Sequence, residues 1–337
     1  MELFLSIVVP VFNRPGEIRE LLESIHNQTY EGRFEVVIVE DGSTEPSAEV
    51  VNFYKDKIDI LYLPKRNTGP GDSRNYGMRE ANGNYFILLD SDCMLPPSYL
   101  QRVADALNED YVDGFGGPDT FHKNFSPLQK AINYVMTSLF TTGGIRGHKA
   151  AARQFQPRSF NMGLSRKVFE ETGGFGNIHP GEDPDLTLRM WEKGFRTRLI
   201  PEAHVFHKRR IDFGKFYKQM NKFGLVRPIL NKWHPGSAKV SYWFPSLFIL
   251  GLIASLLLVT VEFYLPLALY LLYFATLFVD CLIQYKQPKV ALFALWAVLV
   301  QFTAYGYGFL KSSILVNFSG KEAQVVFPNL FFQKVDE

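Results

Sequence analysis

The stretch NYFILLDSD at residues 84–92 decides the fold class, because five apolar residues run without a break into two acids. An unbroken apolar run of this length is typical of a parallel strand that is buried on both faces. Similar runs occur at residues 6–12 (SIVVPVF), 34–43 (FEVVIVEDGS) and 58–63, and helical spacing occurs between them at 17–27 and 72–81. This alternation predicts an α/β fold with a mostly parallel, Rossmann-like sheet. Such sheets bind ligands beyond the carboxyl ends of their strands.

Charge divides the 337 residues into parts that meet different solvents, although the mean hydropathy is −0.04 and the net charge is +2. Of the 36 basic and 34 acidic residues, 60 in all precede Val240. The first 206 residues have a net charge of −6, whereas residues 208–239 carry nine basic residues and one acid. A basic segment next to apolar spans is what anionic lipid attracts.

Composition also excludes two classes of protein. The chain is 47% hydrophobic and 15% aromatic, which is too apolar for a disordered chain. Cys93 and Cys281 lie in segments of opposite character, so neither a disulfide framework nor a cysteine-metal cluster is expected. Two such cysteines fit a reducing, cytosolic location for the soluble part. The first ten residues lack a basic region and a cleavage site, so we expect no secretory signal.

Three apolar stretches, residues 240–261, 263–285 and 290–310, are predicted to be transmembrane helices, since a span needs about 20 apolar residues. The second contains Asp280, which must lie near the interface or face a neighbouring helix. Lys286 and Lys289 follow this stretch, so the positive-inside tendency predicts that the soluble domain lies on the cytoplasmic side of the membrane. In a bacterium this would be the inner (plasma) membrane. An odd number of spans would put the tail, residues 312–337, on the far side.

The segment before the spans has the pattern of an amphipathic helix. Residues 211–227 carry aromatic and apolar side chains at helical spacing with the lysines largely on other faces: Phe213, Phe216, Tyr217, Met220 and Phe223. We interpret residues 208–239 as a basic segment lying in the membrane interface. A helix packed on the soluble domain is the alternative.

Acids follow the strands where a ligand is expected. Asp90 and Asp92 have the spacing that suits Mg²⁺ or Mn²⁺, which take oxygen ligands, although two acids after a strand often form only a turn. Asp41 closes another strand, where it can bond a base or ribose or serve an Asp-Gly turn. Arg74 can be a fixed cation that binds phosphate, or it can be an ordinary solvated residue of a helix.

The stretch GGFGNIHPGEDPDLTLRMWEKGFR at residues 173–196 is the most specific functional signal in the sequence. A glycine-rich loop leads to Glu182 and Asp183, and a helix is predicted from Pro184. Asp183 can be the N-cap ahead of this proline, with Asp185 serving the helix. A carboxylate at the mouth of a cleft can also take a proton from a hydroxyl nucleophile.

Five motifs in this order resemble those of family 2 glycosyltransferases with the GT-A fold: PVFNR, VVIVEDGS, NTGPGDSRNYGMREANGNYFILLDSD, NMGLSRKVFEETGGF and GEDPDLTLRMWEKGFR. The resemblance covers about residues 5–207. It implies an inverting transfer of a sugar from a nucleotide diphosphate-sugar, assisted by Mg²⁺ or Mn²⁺. The chain is thus divided into a GT-A domain at 1–207, the basic interfacial segment, transmembrane helices at 240–311 and the tail.

The same resemblance implies roles for single residues. Pro10 and Asn13 would line the nucleotide pocket, and Asp41 would hold the base or ribose. Asp90 would contact ribose or a metal-bound water, and Asp92 would ligate the metal. Asp183 would be the general base, with Glu182 beside it shaping the acceptor site and Arg74 offsetting charge on the leaving diphosphate. Glu40 departs from the family, which often has Asp there. His207 would complete the metal site, and it fits that place better than His204. The alternative is that His207 binds nothing.

The acceptor is expected to be lipid-linked or a surface polysaccharide, because the basic helix would hold the domain against membrane lipids. Gln219 is not followed by the Gln-x-x-Arg-Trp motif of processive family members, so a polymer-extruding synthase is disfavoured. A polyprenyl-phosphate glycosyltransferase, a nucleotidyltransferase and a non-catalytic membrane protein remain as alternatives. Nucleic-acid binding is not expected of a net acidic domain. Specificity would lie in residues 114–160, which include Gly143, Gly144 and Arg146.

Overall fold

The computed structural model describes residues 2–120, 125–142, 155–207 and 212–332. They form two compact units. The first unit consists of Met1–His122, Ala150–Lys208 and Phe331–Glu337, and the second of Lys123–Lys149 and Arg209–Leu330. Gly143, Gly144 and Arg146, which were expected to contribute to specificity, lie outside the described residues.

The first unit contains a seven-stranded sheet in the order β3-β2-β1-β4-β8-β6-β9. Its strands are β1 (Leu5–Val11), β2 (Phe34–Asp41), β3 (Ile60–Lys65), β4 (Tyr85–Leu89), β6 (Gly114–Gly116), β8 (Asn161–Ser165) and β9 (Thr197–Leu199). Strand β8 runs antiparallel to both of its neighbours, and the other pairs are parallel. The predicted α/β fold class is therefore confirmed, with one reversed strand that the apolar pattern did not indicate.

Helices cover both faces of this sheet. They are α1 (Pro15–His26), α2 (Ala48–Tyr54), α3 (Pro70–Glu80), α4 (Tyr99–Glu109), α7 (Arg166–Thr172) and α8 (Glu182–Glu192). Helix α3 lies very close to the strands, because a Cβ atom at Gly77 would be 2.5 Å from Val8 Cγ1. Fully buried valines alternate between the two faces of β1, so the sheet has core on both sides.

A small second sheet has the order β5-β10-β7, formed by β5 (Cys93–Met94), β10 (Val205–His207) and β7 (Asp119–Thr120). Strands of two or three residues are too short to show a hydrophobic period, and none of the three was predicted.

The second unit is helical. It contains α5 (Pro127–Thr137), α6 (Leu139–Thr142), α9 (Phe213–Trp233), α10 (Phe244–Leu258), α11 (Leu265–Tyr285), α12 (Pro288–Phe318) and α13 (Ala323–Val326). Single 3₁₀ turns lie at Pro235–Ser237, Val240–Trp243, Val259–Val261 and Pro328–Leu330. Three helical stretches are long and apolar enough to cross a membrane, namely Val240–Val261, α11 and α12, in agreement with the three predicted spans.

Asp280 in α11 faces a neighbouring helix, as its position in an apolar stretch requires. Tyr134 in α5 donates a hydrogen bond of 2.6 Å to Asp280 Oδ2. Helix α5 thus belongs to the helical unit although it lies within the segment predicted as the GT-A domain.

The predicted amphipathic helix forms α9, which packs along α12 in the same direction. Asn221 donates to the carbonyl of Ala304 at 3.0 Å, and Lys232 donates to that of Val316 at 3.0 Å. Gly224 allows this approach, since a Cβ there would lie 2.2 Å from the carbonyl oxygen of Tyr305. The interfacial location of α9 stays a prediction.

The chain returns to the first unit after α13. Phe331 forms a β-bridge with Ile178, and the backbone N–H of Phe332 donates to the carbonyl of Asn177 at 3.0 Å. Three membrane crossings would instead put the tail on the far side, so the number of crossings and the side of the tail stay predictions.

Candidate active site

Asp90, Asp41 and Asp92 lie at or just beyond the carboxyl ends of β4 and β2, where a parallel sheet binds ligands. Helix α3 brings Arg74 to the same edge. Arg74 Nη2 donates to Asp90 Oδ1 at 2.6 Å. The structure therefore joins the predicted phosphate-binding cation to the first acid of the Asp-x-Asp pair.

The guanidinium of Arg74 is buried, with 3% of the residue exposed. Within the described part of the chain, its Nε and Nη1 atoms have no hydrogen-bond partner. Burial alone would lower the pKa of Arg74, but the charges of Asp90, Asp183 and Glu182 raise it overall. A buried, charged group with unpaired N–H donors is costly unless an anion meets it.

Glu182 and Asp183 occupy the first turn of α8, which begins two residues earlier than predicted. Gly181, with φ of +123°, is the N-cap, so the prediction of Asp183 as the cap is wrong. Only glycine takes this φ readily, so the backbone itself turns the chain into the helix. Asp183 is thereby left with a role other than capping.

The two acids have opposite electrostatic surroundings. Burial raises the pKa of Glu182, but the hydrogen bond and charge of His179 and the charge of Arg74 lower it overall. His179 Nδ1 lies 2.8 Å from Glu182 Oε1. For Asp183, burial and then repulsion by Glu182 raise the pKa to about 6, despite Arg74, Arg158 and the backbone N–H of Ser159.

Asp183 therefore has the properties of a base for use near neutral pH. Among described atoms, its buried Oδ1 has no hydrogen-bond partner. A carboxylate with a pKa near 6 and an unpaired oxygen can accept a proton from a hydroxyl that approaches it.

The glycine-rich loop before α8 is held by two residues that sequence reasoning missed. Arg189 donates to the carbonyls of Thr172 and Gly174, both at 2.7 Å, while it pairs with Asp185 at 2.8 Å. The predicted helix-stabilising role of Asp185 agrees with this pair. Asn75 donates to the carbonyl of Phe175 at 2.8 Å and accepts from its N–H at 2.8 Å. An Asn within a helix next to Arg74 was a usable signal, since such residues favour side-chain bonds to backbone.

Asp41 is almost fully buried and already accepts several hydrogen bonds. Its donors are Lys65 Nζ and the N–H groups of Thr68 and Gly69, each at 3.0 Å. Asp41 fixes the loop that starts α3, and its contact with base or ribose stays a prediction. Glu40 points to the opposite face, as alternation along a strand requires, and accepts from the N–H of Ser47 at 2.7 Å.

Asn13 and Pro10 lie at the end of β1. Asn13 has φ of +55°, and its Oδ1 accepts from the N–H groups of Thr44 at 2.8 Å and Glu45 at 3.0 Å. It braces the loop after β2. Pro10 pairs in register with Val39. Their predicted place in a nucleotide pocket is not tested by these contacts.

Asp92 and His207 are brought near each other by the small sheet. His207 pairs with Cys93, the neighbour of Asp92, in the β5–β10 ladder. Only the backbone of His207 is described. Asp92 Oδ2 lies 3.7 Å from Arg14 Nη1. His204 instead packs its ring edge-on against Phe206. No cluster of three metal-ligating side chains occurs among those that the structure describes, so the metal role of Asp92 and His207 stays a prediction.

Residues 6–173 match the model of the family described as Glycosyl transferase family 2. The chain carries a family 2 glycosyltransferase domain. The fold agrees with mannosyltransferase PcManGT from Pyrobaculum calidifontis, solved in complex with GDP-Man and Mn²⁺, at a TM-score of 0.56 and 15% identity over 95% of this chain and 89% of that one. The expected GT-A fold is thereby confirmed.

Two sequence relatives illustrate the similarity. Glycosyltransferase AglE of Haloferax volcanii is 24% identical over 66% of this chain and 72% of its own length. Poly(ribitol-phosphate) beta-N-acetylglucosaminyltransferase TarS of Staphylococcus aureus is 30% identical over 38% of this chain and 25% of its own. The chain spans about a quarter of TarS and of Glycosyltransferase GlyA of Streptococcus pneumoniae, so these relatives are much longer than the family 2 domain.

Proposed function

We propose that the family 2 domain transfers a sugar from a nucleotide diphosphate-sugar to a hydroxyl group, with inversion at the transferred carbon. One observation carries this proposal. A buried arginine, two of whose nitrogen atoms lack a hydrogen-bond partner among the described residues, bonds to an acid at the end of β4 and acts electrostatically on a carboxyl with a raised pKa. A diphosphate would satisfy the arginine, and an acceptor hydroxyl would satisfy the carboxyl.

The chemistry needs a cation on one side and a base on the other. Arg74 offsets the negative charge that develops on the diphosphate as it leaves, which is the kind of electrostatic stabilisation that contributes most to catalysis. Asp183 takes the proton of the acceptor hydroxyl while that oxygen attacks the sugar from the face opposite the diphosphate. Glu182 keeps Asp183 basic by repulsion.

A divalent cation fits the donor set of this site. Asp92 and His207 would hold the ion, since carboxylate oxygen is a ligand that Mg²⁺ and Mn²⁺ prefer. Asp90 would contact the ribose or a metal-bound water. When bound, the ion neutralises charge on the diphosphate. The Mn²⁺ in the PcManGT complex supports this assignment.

The acceptor group is a hydroxyl rather than a phosphate. A phosphate monoester is already an anionic nucleophile at neutral pH and needs no base, and the carboxylates of Asp183 and Glu182 would repel it. The unpaired Oδ1 of Asp183 therefore favours a hydroxyl over the polyprenyl-phosphate alternative.

The helical unit supports a membrane-bound acceptor. Its three apolar stretches are long enough to cross a bilayer, and α9 carries lysines that suit anionic lipid. We place the family 2 domain on the cytoplasmic face of the plasma membrane, where it acts on a lipid-linked sugar or a growing surface polysaccharide.

The test uses the full chain in detergent or nanodiscs. Thermal-shift measurements with Mn²⁺ screen nucleotide diphosphate-sugars for binding, and release of the nucleoside diphosphate then reports turnover. We expect at least one donor to stabilise the protein, and Asp183→Asn to bind that donor but not turn it over. The proposal is overturned if no nucleotide diphosphate or its sugar binds, or if Asp183→Asn retains wild-type turnover.

A further inference from the structure

The returning C-terminal segment contacts the loop that carries the proposed base. Phe331 bridges to Ile178, and the N–H of Phe332 bonds to the carbonyl of Asn177 at 3.0 Å. These loop residues immediately precede His179, the partner of Glu182. Two backbone contacts therefore fix where the Phe332 ring can lie.

The Phe332 ring lies between the two walls of the site. On one side it packs on Gly69, where an added Cβ would be 2.5 Å from Phe332 Cε2. The N–H of Gly69 is one of the donors to Asp41. On the other side the ring centroid is 5.6 Å from that of His179, at 47° between the ring planes.

His179 needs such a contact to be held in place. Its side chain is 40% exposed, yet its Nδ1 atom pairs with a carboxylate that is almost fully buried. An exposed ring without a packed face would rotate and share Glu182 with water. Phe332 restricts this rotation from the side of Gly69.

We propose that Phe332 is a positioning residue for the transfer reaction. Its ring forms the part of the wall of the candidate site that lies between the start of α3 and the His179–Glu182 pair. This inference rests on the proposed function. It adds to the five motifs a residue more than 130 positions beyond them, contributed by the segment that follows the last apolar helix.

The test compares Phe332→Ala, Phe332→Leu and Phe332→Tyr in the full chain, with Val325→Ala, an exposed residue of α13, as the control. Small misplacements near a reacting centre cost on the order of 100-fold in rate. We expect Phe332→Ala to lower kcat by about tenfold or more while the donor Kd changes less than about twofold. Phe332→Tyr keeps the ring and should restore kcat, and Val325→Ala should match wild type.

Hydrogen exchange provides a readout that does not depend on activity. Phe332→Ala should lose protection in residues 177–183, with the rest of the first unit unchanged. If wild type binds and turns over no donor, the proposed function fails, whereas the positioning role is still judged by exchange. Wild-type kcat in Phe332→Ala, unchanged exchange at 177–183, or a Phe332→Tyr variant as impaired as Phe332→Ala would overturn the inference. Should Phe332→Ala fail to fold, Phe332→Leu, which keeps the bulk without the aromatic ring, is judged by the same criteria.

Discussion

Replacing Asp183 by Asn should stabilise the protein above neutral pH while it abolishes transfer. Burial and repulsion by Glu182 raise the pKa of Asp183 from 3.8 to about 6. Below about pH 4 the carboxyl is protonated in both the folded and the unfolded chain. Between pH 4 and 6 only the unfolded chain ionises, so the free energy of unfolding falls as the pH rises. Above pH 6 the full penalty, about 3 kcal/mol, is present.

Asn removes this penalty because it carries no charge at any pH. At pH 8 we expect the variant to melt roughly 6–12 °C above wild type, taking the first unit as a domain of 150–250 residues. At pH 4 the two melting temperatures should converge. Differential scanning fluorimetry in detergent at both pH values measures the difference, and nucleoside diphosphate release measures the loss of turnover.

Asp185→Asn is the matched control on the same helix. Its carboxylate pairs with Arg189 at 2.8 Å, so removing its charge should lower the melting temperature at pH 8. The reasoning is refuted if Asp183→Asn melts at or below the wild-type temperature at pH 8, or if its gain is the same at pH 4.

Three further predictions concern donor binding and topology. Arg74→Lys should weaken binding of a nucleoside diphosphate by about tenfold or more, since a lysine cannot replace the fork of the guanidinium. Calorimetry measures the affinity, with Arg79→Lys as the control, and equal affinities of the two variants would contradict the prediction. Asp92→Ala should raise the Mn²⁺ concentration needed for donor binding, and the same metal titration in Asp105→Ala should match wild type; an unchanged Mn²⁺ requirement removes Asp92 as a ligand. A reporter fused after Glu337 should lie on the same side as one fused before residue 2, and opposite sides would exclude the bond between Phe332 and Asn177.

The centre of the large sheet could be predicted from the sequence because β1, β2 and β4 are buried on both faces. The runs ending at Asp41 and Asp90 are continuous and apolar, and the structure places strands there. The start of α8 could not be predicted from side-chain caps, because Gly181 turns the chain with its backbone alone. Strand β8 was not predicted, because its sequence NMGLS is not a continuous apolar run, and its reversed direction was therefore not indicated either.

The candidate site was predicted as separate motifs but not as a set of contacts. Aspartates at strand ends are visible in the sequence, and Arg74 follows from its motif. The bond between Arg74 and Asp90, the pairing of His179 with Glu182 and the clamp by Asn75 depend on tertiary packing. Phe332 could not be found from spacing, because it follows three apolar stretches that separate it from every motif.

The late position of Phe332 links enzyme assembly to the order of synthesis. Residues 2–207 leave the ribosome ~125 residues before Phe332 does. At translation rates of roughly 5–20 residues per second, that interval is ~6–25 s. During it the three long apolar helices are synthesised while the contact of Phe332 with His179 is still missing. The wall of the site beside His179 therefore forms only after the whole helical unit has been made.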